Sequence, residues 1–96
     1  MFTLDQHVRP HPEVVDTQLE AGETALLHLD STTYYSLNPT GTHIWQGLKH
    51  GLSLREISDR LQEVFEVDAE RANRSVLAFV HALAQHHLVQ RPEDVA

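Results

Sequence analysis

The stretch TYYSLNPTGTHIW, Thr33 to Trp45, constrains the fold more than any other part of the chain, because a strand-forming run meets a helix start with no room for a loop. Thr33, Tyr34, Tyr35, Ser36 and Leu37 supply the β-branched and aromatic side chains that suit a pleated, half-buried strand. Asn38 is placed to cap a helix through its side-chain oxygen. Pro39 follows at the first helical position, where a missing N–H costs nothing. The strand therefore ends at Leu37.

Upstream, Glu13 to Leu19 (EVVDTQL) and Thr24 to Asp30 (TALLHLD) read as two strands joined by a turn at Ala21, Gly22 and Glu23. In the second of these, Ala25, Leu27 and Leu29 fall on one face and Thr24, Leu26 and His28 on the other; the first face is expected in the core. Asp30, Ser31 and Thr32 turn the chain into Thr33 to Leu37, giving a three-stranded meander whose outer strands are open edges.

Three helices are predicted after it. The first runs from Pro39 to about His50 with Ile44, Trp45 and Leu48 on one face. Gly41 is expected where that helix approaches the sheet, and Gly51 ends it. Ser53 and Glu56 form a capping box, with Leu52 and Ile57 spaced as a hydrophobic staple, and Leu54, Ile57, Leu61, Val64 and Phe65 give an apolar stripe. After a tight turn at Glu66 and Val67, Asp68 caps a third helix to about His87. Ala72, Val76, Phe79, Val80 and Leu83 form its core stripe, and Asn73, Leu77, Ala84 and Leu88 form a second flank. That extra width implies something to cover it. The predicted fold class is α+β: a winged helix-turn-helix variant with its N-terminal three-stranded antiparallel β-meander followed by three α-helices.

Composition narrows the function. At 96 residues the chain is read as one domain with an ordered core over about residues 11–90, the first ten or so residues and RPEDVA being loosely held. It has no cysteine, which excludes a disulfide framework, a thiolate metal site and a cysteine nucleophile. No apolar run approaches the ~20 residues of a membrane span and no targeting segment is evident, so a cytoplasmic location is expected. The net charge of −7 repels a polyanion. Although a winged helix places its last helix in a DNA groove in other proteins, here Arg71 and Arg74 sit against Asp68 and Glu70 with no basic wing. The eight histidines lack paired spacing on one helix face, so neither a metal nor another cofactor is expected, and no acid–base pair or phosphate loop suggests an enzyme. One of the rings of Tyr34 and Tyr35 is expected to pack inward and the other to cover the sheet, with Trp45 in the core.

The residues HPEV (His11 to Val14), GETALLHLD, YYSLNPTGTHIW, GLSLREISDRL, FEVD and the closing HHLV together resemble the PqqD family, or RiPP recognition elements, which bind leader segments of ribosomally made, post-translationally modified peptides. YYSLNPTG with Ile44 and Trp45 is the distinctive part. Where many relatives have Gly before the closing Leu and Val, this chain has His87. The resemblance implies that a leader adds as an antiparallel strand along Thr33, Tyr34, Tyr35, Ser36 and Leu37, in a groove walled by Asn73, Arg74, Leu77, Val80 and Ala84. Backbone bonds at roughly 0.5–1.5 kcal/mol each do not offset the cost of ordering a leader, so an apolar wall must add the rest. The likeness is closest to the freestanding proteins of lasso-peptide pathways, which implies a separate cysteine-type leader peptidase as partner and a macrolactam-forming cyclase after it. PqqD proper, in pyrroloquinoline quinone synthesis, is the near neighbour. An uncovered edge makes either a monomer or a weak dimer the expected state.

Overall fold

The computed structural model describes residues 2–90. A short β1 (Arg9–Pro10) precedes the meander β2 (Val14–Gln18), β3 (Thr24–His28) and β4 (Thr33–Leu37); α1 (Pro39–Lys49), α2 (Leu54–Phe65) and α3 (Ala69–Gln85) follow, and β5 (Val89–Gln90) closes the chain. The meander is antiparallel in the order β2-β3-β4, and β1 pairs with β5 in a separate two-stranded ribbon. The architecture is the α+β arrangement read from the sequence, a three-stranded antiparallel sheet followed by three helices.

Each helix start is held by the predicted side chain. The Asn38 carboxamide oxygen accepts the Gly41 N–H at 2.7 Å, and Asp68 accepts that of Arg71 at 2.8 Å. Ser53 and Glu56 make a reciprocal capping box, and the Ser53 N–H and hydroxyl hold the Glu56 carboxyl below its ordinary value. The α1 face of Ile44, Trp45 and Leu48 is buried, and α2 buries Leu54, Ile57 and Leu61. Val64, expected on that stripe, is 57 % exposed, whereas Phe65 beside it in the same turn packs against the core. Gly41 does make a close approach, but to α3: a Cβ there would lie 2.9 Å from the Phe79 ring.

The inward face of β3 is the reverse of the expected one. Thr24, Leu26 (0 % exposed) and His28 point into the core, whereas Ala25 and Leu27 are half-buried and Leu29 is exposed. Parity is set by partners rather than by counting aliphatic residues. Leu26 lies opposite Tyr35, and Thr24 opposite Leu37, on the side where α1 returns beneath the sheet. His28 is accommodated there because its Nε2 donates to the His87 carbonyl at 3.1 Å. Val15, Leu27 and Tyr34, which occupy one cross-strand row, are left on the outer face.

The N-terminus, expected to be loose, is docked. Val8 is 2 % exposed, Phe2 and Leu4 pack on the core, and the carbonyls of Gln6 and Leu4 accept the N–H groups of Leu54 and Arg55 at the start of α2. Those donors have no partner within a helix, so the N-terminal turn satisfies what would otherwise be left to water. The expectation for residues 91–96 lies outside the described residues.

His86 is the C-cap of α3, and His87 takes the left-handed conformation (φ 59°). The Leu88 N–H reaches the Leu83 carbonyl and the His87 N–H that of Ala84, a Schellman closure with Leu83 and Leu88 both buried. A non-glycine residue in this conformation costs about 1 kcal/mol. His87→Gly is therefore expected to stabilise the fold by about that amount in urea unfolding.

One polar contact ties α1 to the sheet. The Trp45 indole N–H donates to Asp16 on β2 at 2.6 Å, and Lys49 reaches the same carboxylate oxygen at 2.9 Å. Burial pushes the Asp16 carboxyl up, yet the hydrogen bonds from Lys49 and Trp45 and the Lys49 charge outweigh it and hold it below its ordinary value. Folded Asp16 is thus harder to protonate than unfolded Asp16. Its contribution is fully present above the ordinary carboxylate pKa and fades as pH falls through the lowered folded value. Asp16→Asn is expected to cost about 1–3 kcal/mol near neutral pH, and urea unfolding at descending pH should show that gap narrowing below the carboxylate range.

Candidate functional site

Register decides which backbone groups β4 offers. Leu29 donates to the Glu13 carbonyl and Leu19 to that of Glu23, so odd-numbered residues of β3 bond toward β2 and even-numbered ones toward β4. Thr24, Leu26 and His28 then exchange bonds with Leu37, Tyr35 and Thr33. The N–H and C=O groups of Tyr34 and Ser36 point away from the sheet. Among the described residues no strand pairs with that edge. The Thr33 N–H faces β3 and is not an edge donor.

Beside this edge lies a groove whose far wall is α3. A cavity of about 410 Å³ is bounded by Leu37 and Ser36 on β4, Gly41 and Ile44 on α1, and Ala78 and Phe79 on α3. Its floor is apolar. Gly41 keeps it open at the α1 end by letting the Phe79 ring pack against bare backbone. Arg71 and Arg74 border a shallower depression that continues from Ser75 and Ala78. Arg74 is 3.7 Å from Glu70, and both side chains are largely solvated, so this pairing leaves the guanidinium free to exchange partners at little cost.

The structure brings together only part of the set expected from sequence. Thr33, Tyr34, Tyr35, Ser36 and Leu37 form the edge strand, with Tyr34 72 % exposed on the outer face and Tyr35 half-buried on the inner one. Arg74 sits at the mouth of the groove. The other wall residues lie elsewhere. Asn73 accepts a hydrogen bond from Ser58 of α2, Val80 and Ala84 are buried in the core, and Leu77 packs on the same side, so this flank is covered by α2. The flank facing β4 is the opposite one, carrying Ser75, Ala78 and Phe79. Periodicity located the axis of the apolar stripe but not which neighbouring helix covers its wider side. Gly41 held the signal: its need for a close neighbour was real, and that neighbour was Phe79.

A second and larger cavity, about 640 Å³, opens at the Thr33 end of the same strand, and His11, His28, Thr33, Tyr35, His86 and His87 contribute to its lining. The Tyr35 and His86 rings meet at 5.2 Å, at the border of this cavity. Among the described residues no three His, Asp or Glu side chains are disposed to hold a metal ion, and no helix is long and apolar enough to cross a membrane.

Known proteins share this arrangement. A protein solved as TbiB1 in complex with the TbiA(beta) leader peptide is 32 % identical and superposes with a TM-score of 0.81, covering 85 % of this chain and 94 % of its own. Lasso peptide synthetase B1, solved complexed with the leader peptide, is 29 % identical with a TM-score of 0.82, covering 90 % of this chain and all of its own (100 %). A search of curated proteins returns no match. Residues 23–89, from the start of the β3 hairpin through α3 to the closing ribbon, match the family described as Coenzyme PQQ synthesis protein D (PqqD). With that match running through the edge strand, its helical cap and the helix that walls the groove, the chain belongs to the PqqD family.

Proposed function

We propose that this chain is a non-catalytic recognition protein, a single PqqD-like domain over residues 1–96, that captures the leader of a ribosomal precursor peptide by strand addition on β4 and delivers it to a processing enzyme. The observation that carries this reading is the outward row of Tyr34 and Ser36 backbone groups beside an apolar groove. It lies in a chain about a third identical to a protein solved with a leader bound. The backbone row would supply grip without sequence demand, and the groove selectivity. Burying one large apolar leader side chain against Leu37, Ile44 and Phe79 would contribute about 1.5–3 kcal/mol. Arg74 would pair with leader carboxylates at the mouth. The contacting set we propose is therefore Tyr34 and Ser36 by their backbone, Leu37, Ser75, Ala78 and Phe79 by their side chains, and Arg74 at the rim.

The partner would be a separate leader peptidase of the cysteine type, acting in the cytoplasm ahead of a macrolactam-forming cyclase, with this chain raising local substrate concentration. Both solved relatives are leader complexes, and one is a lasso peptide synthetase component, which favours the lasso pathway. The PqqD description keeps pyrroloquinoline quinone synthesis as the alternative, and the enzymes encoded beside the chain distinguish the two.

The test is calorimetric titration with the leader of the precursor encoded beside this chain, and with the TbiA(beta) leader as a second probe. Ser36→Pro removes an outward donor while leaving the β3 ladder intact, and is expected to weaken binding by about tenfold or more with little loss of stability. Ala78→Asp, on the groove wall, should weaken binding similarly. Leu77→Asp should act on stability instead, because its side chain packs toward the core. Unchanged affinity in both Ser36→Pro and Ala78→Asp would exclude strand addition at this edge.

A further inference from the structure

We infer that the Tyr34 side chain selects one residue of the bound leader, from the face of the sheet opposite the groove; the inference rests on strand addition at β4.

The groove meets only half of an added strand. Side chains of such a strand alternate between the two faces of the sheet. Those that enter the cavity beside Leu37, Ile44 and Phe79 lie on the inner face, and the residues between them project on the outer one. Tyr34 stands on that outer face at the free edge. Val15, Leu27 and Tyr34 form one cross-strand row, of which Tyr34 is the last member. Leu27 is half-buried, whereas Tyr34 is 72 % exposed, the most of any large hydrophobic side chain among the described residues.

The backbone of the same residue fixes what an added strand brings to it. Because the Tyr34 N–H and C=O point away from β3, a strand bonded to them sets one residue directly opposite in a hydrogen-bonded pair, with Cα atoms about 5.5 Å apart. That residue becomes the fourth member of the row. It flanks the ring on the side where the protein itself supplies nothing.

The row also states the chemistry that suits the place. Aromatic rings pair favourably across strands with aromatic and β-branched side chains, and the row already carries Val15 and Leu27. It contains no charged group, so a charged leader residue finds no counter-ion there. The next row is Thr17, Ala25 and Ser36, in which Ser36 presents only a short side chain to the added strand. The outer face therefore treats two leader residues, two positions apart, differently: the one opposite Tyr34 is selected as apolar, and the one opposite Ser36 is left free. In an antiparallel leader the free position lies two residues N-terminal to the selected one.

The test is a set of double-mutant cycles on the full chain with the leader of the precursor encoded beside it. Each leader position is set in turn to Val and to Gly, and each pair is titrated calorimetrically against wild type, Tyr34→Phe and Tyr34→Ser. The intrinsic strand preference of Val over Gly is common to the three proteins and cancels in the comparison. At one position Val is expected to gain about threefold more over Gly with wild type and Tyr34→Phe than with Tyr34→Ser. Moving the ring, by Tyr34→Ser combined with Ser36→Tyr, should move that position by two residues, toward the leader N-terminus for antiparallel addition. Tyr34 and Ser36 are both exposed, so folding is not at stake in these variants. If no position couples to Tyr34, or the coupled position stays in place when the ring is moved, side-chain selection by Tyr34 is refuted; strand addition still stands provided Ser36→Pro weakens binding. If Ser36→Pro and Ala78→Asp both bind the leader as wild type does, strand addition at this edge is refuted and the inference falls with it.

Discussion

The junction at Asn38 and Pro39 governs the rest of this structure. A strand that continued would turn back in another hairpin and cover its own outer edge. Here Asn38 accepts the Gly41 N–H and Pro39 begins a helix, so the chain leaves the sheet plane immediately after Leu37. α1 then passes beneath the sheet, where Trp45 and Lys49 converge on Asp16. Because the chain is diverted into a helix, the Tyr34 and Ser36 backbone groups have no partner strand among the described residues.

The free edge is useful only because the surrounding structure is well determined. α2 begins with a capping box and with N–H groups received by the carbonyls of Leu4 and Gln6, so the N-terminal segment forms part of the frame. α3 ends in a Schellman closure that buries Leu88 and leads into the β1–β5 ribbon. His87 joins both features. Its left-handed backbone completes the helix end, and its carbonyl holds the ring of His28 on the inward face of β3.

The legible parts of the site were those carried by local chemistry. The β4 segment was readable because β-branched and aromatic residues stop at a cap, and both follow from neighbours in sequence. The α3 wall was misassigned for a geometric reason. Asn73, Leu77, Val80 and Ala84 form a real flank, but a wide apolar surface has two sides, and helical periodicity does not say which side meets α2 and which meets the sheet. β3 went the same way. Its alternation was correct and its inward face was not, because Leu26 opposite Tyr35, rather than the number of aliphatic residues on each side, decides which face meets α1.

By itself the sequence determined the type and order of three strands and three helices: the meander, the capped starts at Asn38, Ser53 and Asp68, and the α+β class. Each of these depends on dihedral preference and hydrogen bonds within a few residues. Only the tertiary structure decided that Phe79 and Ala78 face β4, that Thr24, Leu26 and His28 point inward, that the first ten residues dock, and that four histidines gather around one cavity. Those outcomes depend on the rotation of each helix and the parity of each strand. Both are set by contacts between residues as distant as His28 and His87, which no local pattern encodes.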